Sequence, residues 1–243
     1  MGDRHGPGQG CGSLIRRTLI VLARSPVAGH GKTRLRRRFG DLVDDLTVTL
    51  AADTLGWAGE GPWDLLLVHH GPTGALLSEA TLSPGRLRLD HQVDGDLGDR
   101  IDAGISAAFA GGASQVVLIG TDSPTLPSAL VEAAFAELDG AEATLVPAVD
   151  GGWIALGVSR PLDRCLRGVT WSSATTAAET IVALECVGRR VVLLGPWYDV
   201  DEPEDLRRLA ADLRGEGATR APRTAELLCS SSPLASALEG TAA

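Results

Sequence analysis

The stretch "TLIVLARSPVAGHGKTRL" (Thr18–Leu35) decides how this chain is read, because a short apolar run empties into a loop of glycines and cations. "TLIVLA" has the length and content of a buried strand. The following "GHGKT" invites comparison with the phosphate loop of ATPases, G-x-x-x-x-G-K-[ST]. Gly31, Lys32 and Thr33 satisfy its last three positions, but its first glycine falls on Pro26. Proline offers no backbone N–H and cannot take the positive φ that glycine supplies. The tail of the motif fits and the head does not.

Outward from this point, short apolar runs alternate with amphipathic segments. Strands are predicted at Thr18–Ala23, Asp64–His69, Arg86–Asp90, Gln115–Gly120, Ala143–Pro147, Trp153–Val158 and Arg190–Leu194. Helices are predicted at Leu42–Ala58, Leu97–Ala110, Ser128–Leu138, Ala174–Val187 and Pro203–Arg214. That alternation indicates an α/β fold, a mostly parallel sheet covered by helices on both faces. Neither a repeat nor a linker interrupts it, so one domain over residues 14–214 is expected. Residues 1–13 are Gly-rich and polar and read as a disordered arm. From 215 to 243 the composition turns to Ala, Ser, Thr and Pro, which reads as a loosely structured tail with at most a short helix near Ala225–Leu228.

The 243 residues carry a formal charge of −9, which argues against a nucleic-acid-binding surface. The four cysteines have neither metal-ligand spacing nor an evident disulfide pattern, as expected for a reducing cytoplasm. Arg24 cuts the "RRTLIVLA" run short of a signal-peptide core, and no run reaches membrane-spanning length. Lys32 is the sole lysine among 22 basic residues. A compact ammonium beside glycines after a strand suits a phosphate ligand where a planar guanidinium would not fit.

In open α/β sheets, ligands bind outside the carboxyl ends of the strands. The unusual polar motifs fall there. "GTDSPTLP" (Gly120–Pro127) follows "VVLI" and offers Asp122, either a turn and cap residue or a ligand for a hard divalent cation, which takes one or two carboxylates and completes its shell with phosphate and water. "YDVDEPEDLRRL" (Tyr198–Leu209) carries Asp199 and Asp201, about 7 Å apart on one side of an extended backbone. Asp201 with Glu204 also has the spacing of a helix-capping pair, with Pro203 in the first turn; Asp199 is freer to bind metal. "DGGW" (Asp150–Trp153) is a hairpin turn or a place where backbone approaches a ligand. In "DGDLGDR" (Asp94–Arg100), a loop and helix start, Arg100 can reach a phosphate. "VTWSSATT" (Val169–Thr176) supplies Ser172 or Ser173 as an N-cap and Trp171 as a stacking or core residue. Of the five cations in "KTRLRRR", Lys32 and Arg34 adjoin the glycine loop and are assigned to phosphate; Arg36–Arg38 read as a solvated helix face.

Taken in order, P-x-x-G-x-x-K-T-R-L at Pro26–Leu35, G-D-L-G-x-R at Gly95–Arg100, "VVLIGTDSPTLP", "DGGW", "WSS" and "DVDEPEDL" resemble the DUF2064 family of the glycosyltransferase A (GT-A) superfamily, which is similar to the nucleotide-diphospho-sugar transferases. The likeness runs from about Leu19 to Leu209; Trp153 stands where the family pattern suggests tyrosine. It implies a GT-A fold with the nucleotide on the first strand's loop. Nucleotide and phosphate contacts are then expected from Ala23, Arg24, Gly29, Lys32, Arg34 and Arg100. Asp122, with Asp199 or Asp201, is expected to hold Mg²⁺ or Mn²⁺, and Asp150 is the candidate catalytic base. The implied activity is a metal-dependent glycosyltransferase using a nucleotide sugar and a small-molecule acceptor. Alternatives are a nucleotidyltransferase releasing pyrophosphate from a nucleoside triphosphate, or a nucleotide-binding protein without catalysis. No nucleic acid or membrane partner is expected, and a homodimer is compatible with this reading.

Overall fold

A computed structural model describes residues 15–24, 31–74, 77 and 86–230. The expected N-terminal arm, Gly29 and the end of the tail lie outside the described residues. Strand β1 (Arg17–Arg24), apolar from Leu19 to Ala23, lies inside a seven-stranded sheet. Strands β2 (Asp64–His70) and β4 (Gln115–Ile119) flank it, both parallel to it. With β3 (Leu87–His91), β5 (Ala143–Pro147), β6 (Trp153–Val158) and β7 (Val191–Leu193) the order is β3-β2-β1-β4-β6-β5-β7. The sheet is mostly parallel; β6 alone runs against both its neighbours, β4 and β5. A hairpin therefore returns β6 from the edge at which the parallel strands end.

Side-chain alternation along β1 feeds two cores. Leu19, Val21 and Ala23 point to one face, under α2 (Leu42–Glu60) and α4 (Ser128–Glu137), where they meet Leu55, Val131 and Phe135. Ile20 points to the other, with Leu66 and Val68, under α3 (Leu97–Ala110) and α5 (Thr176–Cys186), against Ile101, Ile105 and Leu184. Each such fully buried Leu or Ile contributes roughly 1.5–3 kcal/mol. A third cluster joins α1 (Thr33–Phe39) to α2 and α6 (Pro203–Asp212) through Leu35, Phe39, Leu46, Val200 and Leu206.

The fold departs from the sequence expectations at its helix ends and tail. The basic run forms α1, since Leu35 and Phe39, one turn apart, bury in one cluster with Val43 and Leu206 while Arg34, Arg37 and Arg38 stay exposed; Arg36, expected on the solvated face, is instead mostly buried and pairs with Asp44. The cap of α6 is Glu202 with Asp205, not Asp201 with Glu204: Asp205 Oδ2 accepts from the Glu202 N–H at 2.7 Å and the Asp201 N–H at 3.0 Å. Thr175, not Ser172 or Ser173, occupies the cap position of α5; Ser173 instead accepts the Thr175 N–H. Residues 217–230 are not loose: they form α7 (Gly217–Arg220) and α8 (Pro222–Ser230). Asp53, buried in α2, holds α8 by accepting from Thr224 N (2.8 Å), Thr224 Oγ1 (2.7 Å) and Arg223 N (3.2 Å).

Candidate active site

A cleft of about 810 Å³ opens where β1 and β4 end. Lys32, Arg34, Asp122, Asp150, Asp199 and Asp201 all line it, as do Arg24 and Arg100. Ala23 does not: it is buried in β1, and its carbonyl is taken by the side-chain amide of Gln92 at 2.8 Å.

Two loops are laced together to form the acidic wall. Val200 N donates to the Asp122 carbonyl (2.9 Å), and Ser123 Oγ donates to the Tyr198 carbonyl (2.8 Å). Beneath them the Tyr198 ring is buried, with its hydroxyl donating to Asp212 at 2.6 Å. Val200 is fully buried between two half-buried acids, so Asp199 and Asp201 flank an anchor. Burial of Val200 thus dictates where both carboxylates stand.

Lys32 approaches this wall from the other side. It has φ 41° and ψ 48°, a left-handed conformation that costs a non-glycine residue about 1–2 kcal/mol. Its ammonium, almost entirely buried, lies 2.8 Å from Asp122 Oδ1 and 3.7 Å from Asp201 Oδ1, and donates to the Val200 carbonyl at 2.5 Å. Arg34 pairs with Glu202 at 3.0 Å and lies 3.9 Å from Asp201. Glu202 was invisible as a site residue in sequence, although it sits inside the acidic motif.

The acids outnumber these cations. Burial, then the nearby charges of Asp150, Asp122 and Asp201, push the Asp199 carboxyl up to about 6. Such a collection of hard oxygen donors under mutual repulsion fits a divalent cation. Among the described residues no three His, Cys, Asp or Glu side chains stand close enough to enclose an ion by themselves.

The hairpin between β5 and β6 supplies Asp150, whose Oδ1 accepts from Gly152 N at 2.9 Å. Gly151 has φ 96°, and a Cβ there would lie 2.1 Å from the Ala174 carbonyl oxygen; only glycine allows the hairpin to dock against the start of α5. The opposite wall is aromatic. Trp153 and Trp171 meet edge to face with centroids 6.3 Å apart, and Trp153 Nε1 donates to Thr180 at 3.3 Å. Trp171 lies against Gly98, where a Cβ would be 3.1 Å from its ring.

Comparison with known proteins agrees with this architecture. The family model described as "Uncharacterized protein conserved in bacteria (DUF2064)" matches residues 54–173. A crystal structure from Desulfovibrio desulfuricans G20, of a protein provisionally described as a nucleotide-diphospho-sugar transferase, superposes with a TM-score of 0.79 at 27% identity, covering 91% of this chain and 97% of that one. A homologue of Mycobacterium tuberculosis Rv0371c from Mycobacterium sp. strain JC1 gives 0.51 at 21% identity, over 82% and 97%. CMP:2-keto-3-deoxy-manno-octonic acid synthetase, complexed with CTP, gives 0.51 at 10% identity, over 82% and 98%; these last two share the fold. A search of curated proteins found no significant match. Among the described residues no helix is long and apolar enough to cross a membrane. The motif order, the family match and the long superposition agree: residues 54–173 are similar to the DUF2064 family, and the chain has the fold of nucleotide-diphospho-sugar transferases.

Proposed function

We propose that the protein is a metal-dependent glycosyltransferase that takes a nucleotide-diphospho-sugar as donor. The observation that carries this reading is the meeting of Lys32 and Asp122, from two separate strand ends, at 2.8 Å in one cleft. An ammonium has three N–H donors; Lys32 turns them toward Asp122 at 2.8 Å and the Val200 carbonyl at 2.5 Å, with Asp201 at ion-pair distance, 3.7 Å. A phosphate oxygen entering here meets a fixed positive charge whose present partners are themselves suited to a cation. Lys32 and Arg34 would hold the diphosphate. Asp122, with Asp199 or Asp201, would hold Mg²⁺ or Mn²⁺, which when bound supplies Lewis-acid stabilisation of the departing nucleoside diphosphate. Asp150 has one carboxylate oxygen fixed by Gly152 N, leaving the other to take a proton from an acceptor hydroxyl.

A nucleotidyl transfer on the same site is favoured by one observation: Asp122, Asp199 and Asp201 all reach the cleft, more carboxylates than one ion on a diphosphate requires. A pair of ions suits in-line displacement at phosphorus, with pyrophosphate leaving. Incubation with nucleotide sugars and, separately, with nucleoside triphosphates and phosphorylated acceptors, each with Mg²⁺ or EDTA, decides the matter. Nucleoside diphosphate released in a metal-dependent way supports glycosyl transfer. Pyrophosphate supports nucleotidyl transfer, and neither product, with nucleotide binding indifferent to Mg²⁺ and to Asp122→Asn, would leave a binding protein.

A further inference from the structure

The cleft has two walls built from opposite faces of the sheet. Lys32, Arg34 and the carboxylates belong to the side of α1 and α6, and there each cation faces an acid. Arg100, from the first turn of α3, lines the cleft from the other side, in company with Trp153 and Trp171. Its Nε is buried with no hydrogen-bond partner, and among the described residues its guanidinium forms no ion pair. The acids next to it in sequence are already engaged. Asp96 accepts from Asp99 N at 2.9 Å, and Asp99 accepts from Asp96 N at 3.4 Å, a reciprocal cap that turns both carboxylates onto backbone. Arg24, at the end of β1, lines the same cleft and is likewise unpaired among the described residues.

A half-buried guanidinium left without an acid, beside two tryptophans, is an unfilled anion site with an apolar floor. From these features we infer that Arg100, assisted by Arg24, does not hold the nucleotide's phosphates as the sequence motifs suggest but forms a second anion subsite, distinct from the diphosphate site at Lys32. The acceptor it takes is a small molecule bearing a phosphate or carboxylate and a C–H face that lies on Trp171. This rests on the transferase reading above and gives its acceptor a chemical class. The charge layout supports it. An anionic acceptor anchored at Arg100 keeps its charge away from Asp122, Asp199 and Asp201 while its hydroxyl can turn to Asp150, whose hairpin leads directly into Trp153.

The test uses the full chain saturated with Mg²⁺ and the tightest-binding of UDP, GDP, CDP and ADP, with glycerol 3-phosphate, glycerate and glycerol as probes. Calorimetry or ligand-observed NMR should show the phosphate or carboxylate probe binding alongside nucleotide, and glycerol not binding. Arg100→Met should weaken the anionic probe about tenfold or more, the scale of a lost charge-assisted hydrogen bond, while leaving nucleotide affinity and the thermal midpoint unchanged. Arg100→Lys should restore part of the probe's affinity. The inference is overturned if nucleotide and anionic probe compete, if Arg100→Met weakens the nucleotide instead, or if nucleotide binds and neither anionic probe does. Should no nucleotide bind while the probes still depend on Arg100, the transferase reading fails and the anion subsite stands.

Discussion

Two carboxylates on this chain, Asp53 in the core and Asp199 half-buried at the cleft, make an instructive pair. Asp53 and Asp199 are both pushed above the ordinary aspartate range, and burial is the main cause in each. Around Asp53 the neighbours are donors: Thr224 through both backbone and hydroxyl, and the backbone of Arg223. Around Asp199 they are other acids, Asp150, Asp122 and Asp201. The first environment is complete and holds two distant parts of the chain together. The second gathers like charges at the cleft, as the proposed metal site would require. Burial of an acid is therefore uninformative until its partners are counted, and a shortage of donors is what separates a site from a rivet.

The sharpest way to break this contrast is to remove a member of the acidic wall. Asp122→Asn is expected to lower turnover about 10²–10³-fold, the scale of losing one electrostatic stabiliser of the transition state, with a thermal midpoint close to wild type. A rate near wild type would dissolve the distinction. Next in size, Asp53→Ala strands three donors in the interior and should cost about 3 kcal/mol or more, or roughly 10 °C in thermal midpoint. At low temperature the metal-dependent nucleotide affinity of this variant should match wild type. A shift of only a degree or two would mean that α8 is not held through Asp53.

A third prediction concerns pH. The Asp199 carboxyl sits at about 6 in the folded chain against an ordinary 3.8, so the native state binds its proton more tightly than the unfolded chain. The stability from this group is fully present below 3.8 and is lost as pH rises through about 6. Asp199→Asn should therefore raise stability at pH 7.5 without divalent metal, by about 1–2 kcal/mol after allowing for solvent screening. The gain should vanish by pH 4, and the same variant should lose activity. A midpoint that falls at pH 7.5 would show that Asp199 is satisfied like Asp53. The smallest effect is expected from Arg34→Ala, where both partners of the Glu202 pair are at least half exposed. It should leave stability within about 1 kcal/mol and raise the donor's KM instead. An unchanged KM would confine phosphate binding to Lys32.

Much of this was legible before any coordinates. The strands at Ala143–Pro147 and Trp153–Val158 and the helix at Leu97–Ala110 fall where apolar spacing puts them, since each buries its pattern against a flat neighbour. Motifs placed after strand ends mark the cleft because strand ends are where side chains of different loops converge. Other features were not written locally. Leu35 and Phe39 are too sparse a signal among arginines to announce α1, whose stability comes from Val43 and Leu206. Asp53 looks like an ordinary polar position in a helix; only its contacts with Thr224, 171 residues on, reveal its task and the order of α8. The freedom of Arg100 is equally non-local, since it depends on Asp96 and Asp99 turning away to cap their own helix.

The reversed direction of β6 has its own consequence. Because that strand begins at the rim where its parallel neighbours stop, the Asp150–Gly152 turn hangs over the cleft without lying on the path of any strand. Relatives could rebuild this overhang, residue by residue, while the sheet and its phosphate-side contacts stayed as they are. On the transferase reading proposed above, grafting the turn, with the Ala174 segment that it leans on, is thus a compact way to exchange acceptor choice between proteins of this fold.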